Sequence, residues 1–255
     1  MTAKVILHIP HASNYIPSLE GYEVKEDVLN NEILKLTDWH TDDLFYRADD
    51  EVIKAPFSRV FCDVERFEDD EKEIMAQFGM GVIYEKSDDG KQIRTINPSL
   101  RSKILSSYYK PHHQKLANAV NTQLRLHGKA LIIDSHSFPN RPFKRDLNQN
   151  TTRPDFNIGT DRFHTPKSLI NKSITFFERA GYSLGIDWPY TGTIVPMEHY
   201  QTNANVSSIM LEINRSLYLN NATNQKSARY QEIKKVVQDY IKVIKKSFFK
   251  EERRT

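Results

Sequence analysis

The chain has 255 residues, 38% hydrophobic and 27% charged, enough for one large α/β domain or two small ones with a proper core. No apolar run nears the roughly 18–20 residues of a membrane span, no signal-peptide pattern follows Met1, and the lone Cys62 excludes an internal disulfide and suits a reducing cytosol. The net charge is only +3, and much of the surplus, in Lys242–Arg254, reads as a solvated helix end, so neither nucleic acid nor a membrane is an expected partner.

Val5–Ile9 is an aliphatic run stopped by Pro10 and reads as a first strand. Asp27–Arg47 carries apolar residues at helical intervals, namely Val28, Ile33, Leu34, Leu36, Leu44 and Phe45. Glu51–Ile53 and Ser58–Cys62 predict two further strands, and Pro98–Arg125 a helix broken or kinked at Pro111. Ala130–Ile133 and Phe156–Ile158 are strand-like; Ser168–Ala180 is helical and closed by Gly181. Tyr182–Ile186 and Ile209–Ile213 predict strands, and Tyr230–Phe249 a terminal helix. Strands alternating with helices predict a mixed, mostly parallel sheet with helices on both faces, a three-layer α/β architecture in a single domain over residues 1–255.

Two of the strand-like runs end in histidine, Lys4–His11 and Lys129–His136. In such sheets ligands sit beyond the carboxyl ends of the strands, so His11 and His136 are expected at one rim, the arrangement of a metal pair. His8, three residues before His11, should point to the opposite face if the strand continues. Asp38 and Asp42 stand four apart and would share a helix face, although Thr37 or Asp38 could equally cap that helix. Arg59 and Arg66 flank an apolar run with Asp63 and Glu65; such arginines polarise a carbonyl, bind a carboxylate, or pair with a neighbouring Asp. Asp134 could orient His136. No Gly-x-Ser-x-Gly elbow surrounds Ser135 or Ser137, which disfavours a serine hydrolase. Glu212, inside an aliphatic strand, needs a reason to be there: either a base with a raised pKa or a buried ion pair.

Taken in order, these segments resemble the N-formylglutamate amidohydrolase family. The matching stretches are Pro10-His11-Ala12-Ser13, Asp38–Phe45, Phe57–Arg66, Gly79–Tyr84, Tyr109–His113, Asp134–Phe138, Asp155–Gly159, Trp188–Gly192 and Leu211–Tyr218. The resemblance implies a fold similar to zinc carboxypeptidases and aspartoacylase, holding one zinc ion. It implies His11 and His136 as metal ligands, with Asp38 as the first candidate for the middle ligand and His8 or His40 behind it. Glu212 is implied as the water-activating base and Arg59 as the group that meets the oxyanion. Arg66 is implied to hold a substrate carboxylate, with Arg215 and His113 as further candidates.

The chain departs from the pattern where Ala12-Ser13-Asn14 follows His11 with no acid at the third position. It also departs at Glu65, where relatives carry Asn, at Ala12, and at Thr191-Gly192-Thr193. The implied activity is zinc-dependent hydrolysis of the amide of an N-acyl amino acid, N-formyl-L-glutamate first, in amino-acid catabolism. Alternatives are a zinc deacylase or peptidase on another N-acyl substrate, or a catalytically silent carboxylate-binding homologue. The expected partner is a small N-acyl amino acid carrying a carboxylate, and self-association into a homo-oligomer is left open.

Overall fold

The period-two alternation of the aliphatic strands decides the layering. In the computed structural model, which describes residues 2–220 and 223–250, six strands form one sheet. They are β1 (Ile6–Ile9), β2 (Glu51–Lys54), β3 (Ala130–Phe138), β4 (Phe156–Gly159), β5 (Leu184–Ile186) and β6 (Val206–Asn214), in the order β2-β1-β3-β6-β4-β5. All neighbouring pairs are parallel except β4 with β6. The sheet is therefore mixed and mostly parallel, as the alternation of elements predicts.

Leu7, Ile9, Leu131, Ile133, Ile209, Leu211 and Ile213 turn to one face, where they pack with Leu169 and Phe177 and with Ile233, Val237, Ile241 and Ile244. Those partners belong to helices α5 (Lys167–Ala180) and α6 (Tyr230–Lys250). Ile6, Ile132, Ala130 and Val206 turn to the opposite face and meet Leu116 and Val120 of α4 (Lys110–His127). Further along the same three strands that second face carries His8, Asp134, His136, Met210 and Glu212, since residues two apart share a side. One face of the sheet is thus core throughout. The other is core at its amino end and polar at its carboxyl end.

Three local expectations change. Asp27–Arg47 is not one helix: α1 (Glu26–Leu36) stops at Thr37, and a single turn, α2 (Thr41–Leu44), follows after His40, whose φ of 61° is left-handed. Ser58–Cys62 is not a strand. Phe61 and Cys62 donate their amides back to the Ser58 carbonyl as turns, and Phe61, Cys62 and Val64 are buried in a loop against Leu100, Ile104 and Leu105. The helix around Pro111 is continuous: α3 (Pro98–Ile104) runs through a π turn (Leu105–Tyr109) into α4. Pro111 has no N–H to give the preceding turn, and the widened π turn accommodates it. Part of the C-terminal basic stretch, residues 251–255, lies outside the described residues. No helix among the described residues is long and apolar enough to cross a membrane.

Candidate active site

His11 leaves the sheet two residues after β1 ends, and Asp38 follows the end of α1; the Asp38 amide donates to the His11 carbonyl at 3.0 Å and ties the two loops together. β3 continues through Phe138, so His136 lies within the strand rather than at its end. All three side chains are buried, and their ligand atoms lie within 4.8 Å of one another. Asp38 Oδ2 is 3.4 Å from His136 Nδ1 and 3.8 Å from His11 Nδ1. Donors around a tetrahedral ion with bonds of about 2.1 Å stand about 3.4 Å apart, so this set fits zinc. His11 Nδ1 is buried without a hydrogen-bond partner, which a metal would supply.

Each imidazole is backed by a carboxylate on its other nitrogen. His11 Nε2 pairs with Asp63 Oδ1 at 2.8 Å, and His136 Nε2 with Asp134 Oδ1 at 3.0 Å. This is the carboxylate–histidine arrangement that fixes ring orientation and tautomer for a metal. Asp38 is fixed in turn: Arg215 Nη2 donates to its Oδ1 at 2.7 Å, and the Ser137 amide donates to Oδ2 at 3.2 Å. Burial alone would raise the Asp38 pKa, but the His11 and His136 imidazoles and the Arg215 charge hold it well below the usual carboxylate range. Asp38 is therefore ionised and ready to bind a cation.

Asp63 is a hub. Its Oδ2 accepts from Arg59 Nε and Nη2 at 3.1 and 2.9 Å and from the Tyr84 hydroxyl at 2.7 Å, and Arg66 Nε lies 3.7 Å away. The Arg59–Asp63 ion pair weighed from the sequence is present. It leaves Nη1 as the Arg59 nitrogen unengaged among the described residues. Arg66 Nε is buried without a hydrogen-bond partner.

His8 does not point away from the site. The chain turns after Ile9 instead of continuing as strand, so His8 and His11 serve the same side. His8 Nδ1 lies 2.9 Å from both Asp134 Oδ1 and Glu65 Oε1, and Nε2 lies 2.8 Å from His112 Nε2. Burial would lower the His8 pKa, but the hydrogen-bonded Asp134 and the close Glu65 carboxylate raise it to about 9, while burial beside His8 drops His112 to about 2. Glu65 thus meets a cationic imidazole. His8, Glu65 and Asp134 form a second compact donor group next to the first.

Glu212 is hydrogen-bond register partner to His136 across the β3–β6 ladder and lies on the cavity side. Its Oε2 is buried with no partner, and burial pushes the carboxyl up to about 8, with Asp38 adding and His136, Arg215 and Arg59 opposing. A cavity of about 400 Å³ joins His11, Asp38, His136, Glu212, Arg59 and Arg66.

The remaining sequence candidates divide. His113 lines the cavity with Nε2 unpartnered, its ring 4.1 Å from that of Tyr109, and burial lowers its pKa to about 4. Arg215 lines it as well, but its donors engage Asp38, Ser137 and the Lys35 carbonyl. Asp42 does not share a face with Asp38: Asp38 precedes α2, and Asp42 pairs with Lys54 at 2.9 Å on the surface. His40 is outside the cavity, its ring edge-on to Tyr230 at 5.9 Å. Sequence reasoning missed Asp63 and Tyr84 as the support for His11 and Arg59, and His112 as the partner of His8. Only the Arg59–Asp63 spacing hinted at the first of these.

The family description "N-formylglutamate amidohydrolase" matches residues 3–219. A crystallised N-formylglutamate amidohydrolase from Ralstonia eutropha JMP134 superposes with a TM-score of 0.82 at 20% identity, covering 97% of this chain and 94% of that one. A crystallised gene product from Agrobacterium tumefaciens gives 0.68 at 17% identity, covering 97% and 91%. No curated protein matches the chain. At these identities the two structures establish the α/β fold. The match over residues 3–219 establishes the family, whose name denotes hydrolysis of an amide, and the chain belongs to the N-formylglutamate amidohydrolase family.

Proposed function

We propose that this chain is a zinc-dependent hydrolase of N-acyl amino acids, with N-formyl-L-glutamate, cleaved to formate and glutamate, as its reference substrate. The observation that carries the reading is the convergence of two carboxylate-backed imidazoles on Asp38 Oδ2. His11, Asp38 and His136 would hold one zinc ion, which supplies Lewis acidity for an amide carbonyl and for a water molecule.

Glu212 takes a proton from the water that attacks the acyl carbon and passes it to the leaving nitrogen, and a buried, unpartnered Oε2 on the cavity side suits both transfers. Arg59, steadied by Asp63 and Tyr84, directs Nη1 at the charge developing on the carbonyl oxygen. Arg66 and His113 anchor the substrate carboxylate. Arg215, weighed for that same task, instead holds Asp38 in place. The single sheet supports reading the chain as one amidohydrolase domain, and a lone, buried Cys62 fits a cytoplasmic setting.

Metal analysis of the purified protein, combined with a hydrolysis screen of N-formyl and N-acetyl amino acids and short peptides, tests this. One zinc per chain and turnover of an N-formyl amino acid are expected. Turnover confined to N-acetyl or peptide substrates would make it a deacylase or peptidase. Ligand binding without turnover in the presence of zinc would make it a silent homologue.

A further inference from the structure

The geometry points to a substrate with a single carboxylate and an apolar side chain, rather than the two carboxylates of N-formylglutamate. This inference rests on the hydrolase reading above and specifies what the site accepts.

Cations come first. A second substrate carboxylate needs a second cationic anchor, and the cavity offers little beyond the first. Arg215 is fully occupied by Asp38, Ser137 and the Lys35 carbonyl. Arg59 has two nitrogens on Asp63. Arg145 lies against Gly90 with its guanidinium 5.6 Å from the Phe78 ring. The remaining edge of Arg59 is kept for the carbonyl oxygen, which leaves Arg66, beside Asp63, as the cation for one carboxylate. Glu65, adjacent to Arg66 and lining the same cavity, faces His8 and adds no cation to that wall.

The walls supply the second observation. The chain contains five methionines, and all four beyond Met1 (Met75, Met80, Met197 and Met210) line this one cavity. Met75 and Met80 pack with Leu36 and Tyr84 in one apolar cluster, so that wall stands beside Asp38 and Arg59. Met210 is two residues before Glu212 and on the same face of β6. Met197 is 62% exposed, an apolar side chain left in water among the residues that line the cavity. Flexible thioether side chains adapt to unbranched and branched apolar groups and offer nothing to an anion.

The experiment compares N-formyl-L-norleucine with N-formyl-L-glutamate, whose side chains are of similar length, together with the glycine, alanine and norvaline derivatives, on the zinc-loaded full chain. We expect kcat/KM for the norleucine derivative to exceed that for the glutamate derivative by at least about tenfold, and to rise several-fold with each added methylene. Equal or better turnover of the glutamate derivative overturns the inference. Calorimetric binding to metal-free protein gives an independent reading. Tighter binding of the norleucine derivative without turnover of any compound sinks the hydrolase reading and keeps the apolar pocket. Tighter binding of the glutamate derivative sinks the pocket whatever the turnover.

Discussion

Arg215 Nη2 holds Asp38 Oδ1 at 2.7 Å, and so leaves Oδ2 to face the imidazoles of His11 and His136. The same guanidinium reaches the Ser137 side chain and the Lys35 carbonyl, so it joins β3, the end of α1 and the loop carrying Asp38.

Arg215→Lys keeps the charge but cannot make those three contacts at once. Its zinc affinity should fall roughly 10- to 100-fold, the usual cost of losing a group that orients a metal ligand. Chelator competition measures this, and an unchanged affinity would remove Arg215 from the support of Asp38.

Glu212→Gln preserves shape and removes the base. With its Oε2 unpartnered and aimed at the cavity, Glu212 should account for at least about a hundredfold in kcat, with little change in KM. Turnover within a few-fold of wild type would show that another group moves the proton.

Removal of metal with a strong chelator should abolish hydrolysis, and zinc should restore it. The bound ion should also raise Tm, because His11, Asp38 and His136 would hold it only once folding has brought them together. His11→Ala and His136→Ala should lose both effects. Activity that survives chelation in either variant would defeat the assignment.

The His8–His112 contact is buried, so His112→Ala leaves a ring nitrogen of His8 without its partner and opens a gap beside the His8 ring. The expected loss is about 1–3 kcal/mol in urea denaturation of metal-free protein. A neutral result would mean that the pair contributes nothing to the support of Asp134.

Outside the cavity, Asp43 joins α2 to α6 through Lys234 and the Tyr230 hydroxyl, and to the segment before α6 through Lys226. Slight burial pushes its pKa up, but those three groups outweigh it and hold the carboxyl below its ordinary value. The stability it contributes is therefore present above the unfolded pKa near 3.9 and is lost as pH falls through the folded value. Asp43→Asn should cost about 1 kcal/mol or less at pH 7, and the gap from wild type should narrow below about pH 4. A gap that is the same at pH 7 and pH 3.5 would contradict this.

The sheet was legible because β1, β3 and β6 are dense in Ile, Leu and Val, and a parallel strand buried on both faces leaves that mark. Ser58–Cys62 carries the same mark for another reason: Val60, Phe61 and Cys62 are buried in a loop, and burial without a ladder looks the same in sequence. Periodicity could not place the break at Thr37–His40, because Leu36 and Leu44 stay apolar on either side of it. In the site, Glu212 and His136 stood out as polar residues in aliphatic surroundings. Asp63 did not, since the four side chains that meet it are spread between His11 and Tyr84 and only folding collects them.

The sheet face that is hydrocarbon near the amino ends of the strands and polar near their carboxyl ends has a genetic consequence. Deleting one codon of β3 ahead of Asp134 would swap inside for outside along the rest of the strand, sending Asp134 and His136 into the packing under α5 and α6 and putting Ser135 and Ser137 where they stood. No partial loss is available at such a position: side-chain register along the strand, solubility and chemistry would fail together. Natural insertions and deletions in this chain should therefore fall in the connections and spare β3 and β6.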